Sequence, residues 1–265
     1  MFKNRCRRRV SRLWTLVGLV GSLFTASVFA QTAPEAKKEP PEIAVLAPFA
    51  VMPNSTTKIL VRGWRLSDAS EVRLGDGKIT AKVLSKGPAA VLDRYDPKRI
   101  GDQQLEFEVM LPADFTGSEV SVVVVGPAGE SRPGNLVVGG EFPMTEDKEP
   151  NDGFRQAQKL AIPQIVNGSI HANHNVDVYS FEAQANETIV AEIFAARHRS
   201  ILDGSLTLHD ERGNLIAFAD DGAGTLDPRM EIVIPTSGVF FLTVLDAHDR
   251  GSTFHGYRLK LHRAK

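Results

Sequence analysis

The sequence predicts an all-β protein: two β-sandwich domains in tandem behind an export signal. Three observations carry this. Apolar and polar residues alternate with period two in several runs, the pattern of a half-buried strand. Runs rich in Val, Ile and Phe stop at Gly, Pro, Asn or Asp, residues that favour turns. The 265-residue length suits two domains, and 42 % hydrophobic with 24 % charged residues is an ordinary globular balance that excludes wholesale disorder.

Residues 1–30 read as a secretory signal peptide. Lys3, Arg5, Arg7, Arg8, Arg9 and Arg12 precede the apolar run from Leu13 to Phe24, and Val28-Phe29-Ala30 supplies small residues for cleavage. The apolar run is shorter than the roughly 20 residues a membrane span requires. The chain's one cysteine, Cys6, falls within this segment. The mature chain is therefore expected to be exported, periplasmic or extracellular, with no disulfide, thiolate nucleophile or cysteine-bound zinc. The overall charge of −1 hides an uneven distribution, because without the six basic residues named above the remainder carries about −7. A mildly acidic body is a poor partner for nucleic acid, which demands clustered cations.

Residues 31–42 (QTAPEAKKEPPE) are polar and proline-rich, a linker. The first domain is expected over 43–140. Ser55–Gly63, Leu105–Leu111 and Ser118–Val125 are its clearest strands, the last stopped by Gly126-Pro127-Ala128-Gly129. A second break falls at Gly139-Gly140-Glu141-Phe142-Pro143. The second domain, 146–265, opens with a predicted short helix, Gly153–Leu160, capped by Asn151 or Asp152. The rest reads as strand. Asp177–Phe181 and Tyr257–Leu261 alternate, and Ser205–Asp210 turns at Glu211-Arg212-Gly213-Asn214 into Leu215–Phe218, a hairpin pattern. Gly238–Val244 is apolar on both faces, which predicts a central strand.

This second block resembles the bacterial pre-peptidase C-terminal domain, a secreted sandwich that often trails extracellular proteases. The resemblance runs through Asp147-Lys148-Glu149-Pro150-Asn151-Asp152, Val166-Asn167-Gly168-Ser169-Ile170 and Val176-Asp177-Val178-Tyr179-Ser180-Phe181. It continues through Leu206–Asp210, Ala219-Asp220-Asp221, Ser237-Gly238-Val239-Phe240 and Gly256-Tyr257-Arg258-Leu259. It implies a jelly-roll-like sandwich. The first block resembles, more loosely, the immunoglobulin-like IPT/TIG domain, through Pro48, Val61–Leu66, Pro112 and Gly126–Ser131.

Asp147, Glu149, Asn151 and Asp152 place four oxygen-bearing side chains in six residues. In an extended segment 147, 149 and 151 share one side, and Pro150 restricts Glu149 to such a conformation. Calcium takes six to eight oxygen ligands, mostly carboxylates and carbonyls. The competing reading is that Asn151 and Asp152 cap the helix while the acids face water. The family resemblance implies a calcium ligand set of Asp147, Glu149, Asn151, Asp152, Gly168 (by its carbonyl), Ser169 and Asp177. His174 stands where that pattern expects an acid, which implies a weaker site or one ion rather than two.

The second acidic cluster, Asp220-Asp221-Gly222-Ala223-Gly224 with Asp227, lacks the alternation of an EF-hand loop and reads as a turn. No G-x-S-x-G, H-E-x-x-H or Walker A pattern occurs. Tyr179 and Tyr257 fall at core phases of their strands, and no aromatic platform is evident. The expected function is thus a secreted, non-catalytic binding or adhesion module, stabilised by calcium, on a protein or polysaccharide surface. An accessory or processing partner of a secreted protease and a carboxylate-dependent secreted hydrolase are the alternatives.

Overall fold

The computed structural model describes residues 38–77 and 79–264. The predicted signal peptide and residues 31–37 of the linker lie outside these. Nineteen strands are formed among the described residues, and the predicted strands all take their place.

The first nine build one sheet that folds over on itself. They are β1 (Glu42–Ala47), β2 (Ala50–Val51), β3 (Thr56–Trp64), β4 (Glu71–Leu74), β5 (Ile79–Pro88), β6 (Gln103–Met110), β7 (Glu119–Gly126), β8 (Gly129–Glu130) and β9 (Gly134–Val138). The order is β1-β3-β6-β5-β4-β7-β9-β2, with β8 paired to β7. β5 makes the fold-over. Its first residues pair with β4 and its later ones with β6. Inward side chains of the two halves, Ile59, Val61 and Phe107 against Val122, Val124 and Leu136, then close a single core. β6 and β7 show why alternation predicted them: every second residue is buried. A single helical turn, α1 (Pro97–Ile100), breaks the all-strand expectation here. Asp96 caps it and Pro97 stands in its first turn.

The remaining strands form two five-stranded sheets packed face to face. One has the order β10-β12-β19-β14-β17, from β10 (Met144–Glu146), β12 (Gln164–Ser169), β14 (Thr188–Phe194), β17 (Arg229–Val233) and β19 (Gly256–Arg263). The other has the order β11-β13-β18-β15-β16, from β11 (Gln158–Lys159), β13 (Asp177–Ala183), β15 (Gly204–Asp210), β16 (Leu215–Ala219) and β18 (Gly238–Asp246). Tyr179, Phe181, Leu206, Phe240 and Leu242 from one sheet bury against Ile189, Ala191, Tyr257, Leu259 and Leu261 from the other. The predicted hairpin is β15–β16, and the run apolar on both faces is β18, hydrogen-bonded on both edges.

The predicted helix at Gly153–Leu160 is not formed. Residues 152–156 are bends and turns, and Gln158–Lys159 form β11, parallel to β13. Eight residues are too few to hold a helix without packing, and here the packing favours the sheet edge. Leu160 is buried, while Phe154 turns outward and stacks on Phe241 at 4.5 Å between ring centroids. Asn151 and Asp152 therefore cap no helix.

Lys38–Lys265 form one compact unit, although no strand pairing joins residues 42–138 to 144–263. Side chains join them instead. Phe254 packs among Val45, Ala47 and Leu92. The Tyr95 hydroxyl lies 2.8 Å from His255 Nε2 and donates to the Ile201 carbonyl, and Arg258 donates to the Gly139 carbonyl. Burial pushes the His255 imidazole down to about 4, so it is neutral where it sits. Among the described residues no helix is long and apolar enough to cross a membrane.

Candidate metal centre

The segment leaving β10 is fixed by its backbone before its side chains act. The Asp147 amide donates to the Asn167 carbonyl on β12, and the Val178 amide on β13 donates to the Asn151 carbonyl. The stretch 147–151 is thus strung between the two sheets. From it, and from the first residue of β13, the carboxylates of Asp147, Glu149 and Asp177 converge. One oxygen of each lies within 4.8 Å of the others.

Their hydrogen bonds leave two oxygens unanswered. Asp147 Oδ1 accepts from Asn151 Nδ2 at 2.6 Å and from the Tyr179 hydroxyl at 2.9 Å. Glu149 Oε2 accepts from the Asn151 amide, and Oε1 pairs with His171 Nδ1 at 2.8 Å. Asp177 Oδ2 accepts from the Tyr257 hydroxyl, which also touches the Tyr179 hydroxyl. Asn151 Oδ1 and Asp177 Oδ1 are buried with no partner, on residues that are themselves 0 % exposed. An unsatisfied buried acceptor costs about 1–3 kcal/mol, more when charged.

The electrostatics point the same way. Burial, reinforced by the negative charge of Asp147, pushes the Asp177 carboxyl up to about 8. Burial also raises Asp147, partly offset by the Tyr179 hydroxyl. Tyr179 and Tyr257 are held well above the ordinary phenol range by burial. A divalent cation would relieve the same excess of negative charge and answer both orphaned oxygens, and this donor set of carboxylates and an amide carbonyl fits a hard cation.

Of the seven residues the resemblance implied, Asp147, Glu149 and Asp177 form this cluster, with Asn151 bonded to it. Asp152 is exposed, and its Oδ1 accepts from Asn175 Nδ2 at 2.8 Å. Gly168 and Ser169, at the end of β12, line a cleft of about 330 Å³ that opens onto Asp147 and Glu149, with Pro48, Phe49 and Ala50 on its far wall. His174 is exposed, with φ 63°, and its amide donates to the Asp249 carbonyl. The second acidic cluster is a turn closed between Gly222 and Thr225. Its Asp227 is buried and occupied by the Ala195 and Ala196 amides and by Arg197 Nε.

Sequence reasoning missed three components: the two tyrosines as members of the network, and His171 as the partner of Glu149. A signal was present for Tyr257. It lies opposite Gly168 in register, and a Cβ on Gly168 would meet its ring and hydroxyl at 2.6 Å. Only a glycine there lets that hydroxyl reach Asp177.

Fold and site together define an all-β sandwich protein with an acidic cluster, running from buried Asp177 to exposed Glu149, that could hold a metal ion. No protein-family model matches the chain. No curated protein matches it. Solved structures do. The chain is similar to the pre-peptidase C-terminal domain of collagenase from Bacillus anthracis, at 17 % identity and TM-score 0.33 over 40 % of this chain and 93 % of that one. It is similar to PliG of Aeromonas hydrophila, a periplasmic inhibitor of g-type lysozyme, at 15 % identity and TM-score 0.31, covering 46 % and 98 %. It is also similar to SGBP-B of the Bacteroides ovatus mixed-linkage glucan utilization locus, at 10 % identity and TM-score 0.27, covering 80 % and 75 %.

Proposed function

We propose that this is an exported, non-catalytic binding module for polysaccharide or protein surfaces, built of domains at 43–140 and 146–265 and stabilised by one calcium ion. Asp147, Glu149, Asn151 and Asp177 hold the ion. Gly168 and Ser169 border it, and Asp152 braces the adjoining loop through Asn175. The observation that supports this reading is the pairing of converged carboxylates with two buried oxygens, Asn151 Oδ1 and Asp177 Oδ1, that have nothing to bond.

The ion's work is mechanical. Residues 147–151 follow β10, the first strand of the second sandwich, and lead toward β11 in its other sheet. An ion on Asp147, Glu149 and Asp177 ties that crossing segment to β13. Oxygen ligands on a stretch already held by backbone hydrogen bonds lose little further entropy on binding.

The test is calorimetric titration of calcium into chelator-treated protein, with melting followed in parallel. One binding event, with affinity near the 10⁻⁴–10⁻³ M of extracellular modules, and a rise in melting temperature are expected. No heat at millimolar calcium and an unchanged melting curve would remove the ion.

A further inference from the structure

We infer that the cleft above the acidic cluster is the ligand site, and that a neutral, hydroxyl-bearing ligand such as a terminal sugar diol binds there directly to the calcium ion. This rests on the cation reading and adds to it what the ion meets on its open side.

Asp177 and Asn151 are fully buried, while Asp147 and Glu149 also line the cleft. Four side chains against the six to eight oxygens calcium takes leave about two to four positions open. The far wall cannot fill them from its backbone at Phe49, whose carbonyl already accepts from the Val137 amide. Pro48 and Ala50 beside it present apolar surface. The open positions therefore face a space that an outside ligand can enter.

Charge selects the class of ligand. Glu146, Asp147 and Glu149 line the cleft and Asp177 lies beneath them, with His171 the sole basic side chain in its wall. Four carboxylates outweigh one dication together with Arg258, whose charge acts on Glu146, so an anionic ligand meets net repulsion while neutral hydroxyl oxygens do not. Size agrees. At about 330 Å³ the cleft stands at the lower end of small-molecule pockets, room for the end of a chain rather than its length. The apolar far wall suits the C–H face of a sugar ring.

Two measurements test this on the mature chain. In the first, terbium(III) replaces calcium and luminescence lifetimes in H₂O and D₂O count the waters on the ion. About two to four are expected, falling when a bound diol displaces them. In the second, mannohexaose, maltohexaose and polygalacturonate are titrated calorimetrically into the calcium-loaded protein, into chelator-treated protein and into Thr253→Trp. Thr253 is an exposed residue of the cleft wall, distant in role from the ion. A neutral hexaose should bind with calcium only, about tenfold or more weakly to Thr253→Trp, whose calcium heat is unchanged.

Absence of calcium heat would sink the cation reading itself. Calcium heat with an ion bearing fewer than two waters, with no heat from either neutral hexaose, or with saccharide binding indifferent to chelation or to Thr253→Trp, overturns the cleft assignment. Tighter binding of polygalacturonate than of the neutral hexaoses overturns the choice of ligand class.

Discussion

Replacing Asp177 by Asn separates the cost of the buried carboxylate from its use. The two side chains are nearly isosteric, and an Asn oxygen can still accept from the Tyr257 hydroxyl. In the metal-free fold burial pushes the Asp177 carboxyl up to about 8, against an ordinary carboxyl value of 3.8. Between those values the folded state binds a proton that the unfolded state has released, so stability falls as pH rises through the window. Each pH unit costs about 1.4 kcal/mol, which accumulates to at most roughly 4 kcal/mol by pH 7. A chain of this size melts about 2–4 °C lower per kcal/mol, so the upper limit is on the order of 10 °C. Metal-free Asp177→Asn should therefore melt above the metal-free parent at pH 7.5 and converge on it near pH 4. Calcium should reverse the order. At one hundred times its dissociation constant it adds about 2.7 kcal/mol to the parent, and it should add almost nothing to the variant. Differential scanning calorimetry from pH 4 to 8, with chelator or calcium, decides. A variant less stable than the parent at pH 7.5 without metal, or one that calcium stabilises equally, refutes the reasoning.

Three further outcomes are expected. Gly168→Ala places a Cβ against the Tyr257 ring and hydroxyl, so denaturant melts should show a loss of about 1–3 kcal/mol and titration a weakened calcium affinity. His255 should set an acid limit. Its folded pKa of about 4 lies below the usual 6.5, so its contribution, at most roughly 3 kcal/mol, is present above pH 6.5 and is lost as pH falls toward 4. His255→Gln should flatten that limb of the pH–melting curve, and a limb that persists unchanged contradicts the assignment. Asn173 donates to Asp93 at 3.0 Å and accepts from the Gly251 amide. Asn173→Ala should raise hydrogen exchange in residues 92–96 while lowering the melting temperature by only about 1–3 °C, because both bonds are exposed.

The sequence by itself determined the elements that depend on local pattern. Alternation placed β6, β7, β13 and β19, the turn residues Gly213 and Asn214 placed the β15–β16 hairpin, and a run apolar on both faces marked β18 as central. It also put Tyr179 and Tyr257 in the core. Local pattern misplaced Gly153–Leu160, where spacing suited a helix but the sheet edge beside β13 offered backbone hydrogen bonds and a pocket for Leu160. The closeness of Asp147, Glu149 and Asn151 was legible because those residues are neighbours in the chain, whereas Asp152 beside them turns to Asn175 instead. Their meaning was decided by tertiary structure alone. Asp177 becomes a strained carboxylate only when the sheets desolvate it, and Asn151 Oδ1 is orphaned only once the segment is strung between β12 and β13. The far wall of the cleft comes from Pro48–Ala50, about a hundred residues upstream. Desolvation and enclosure are properties of packed surfaces, and a single strand's pattern does not carry them.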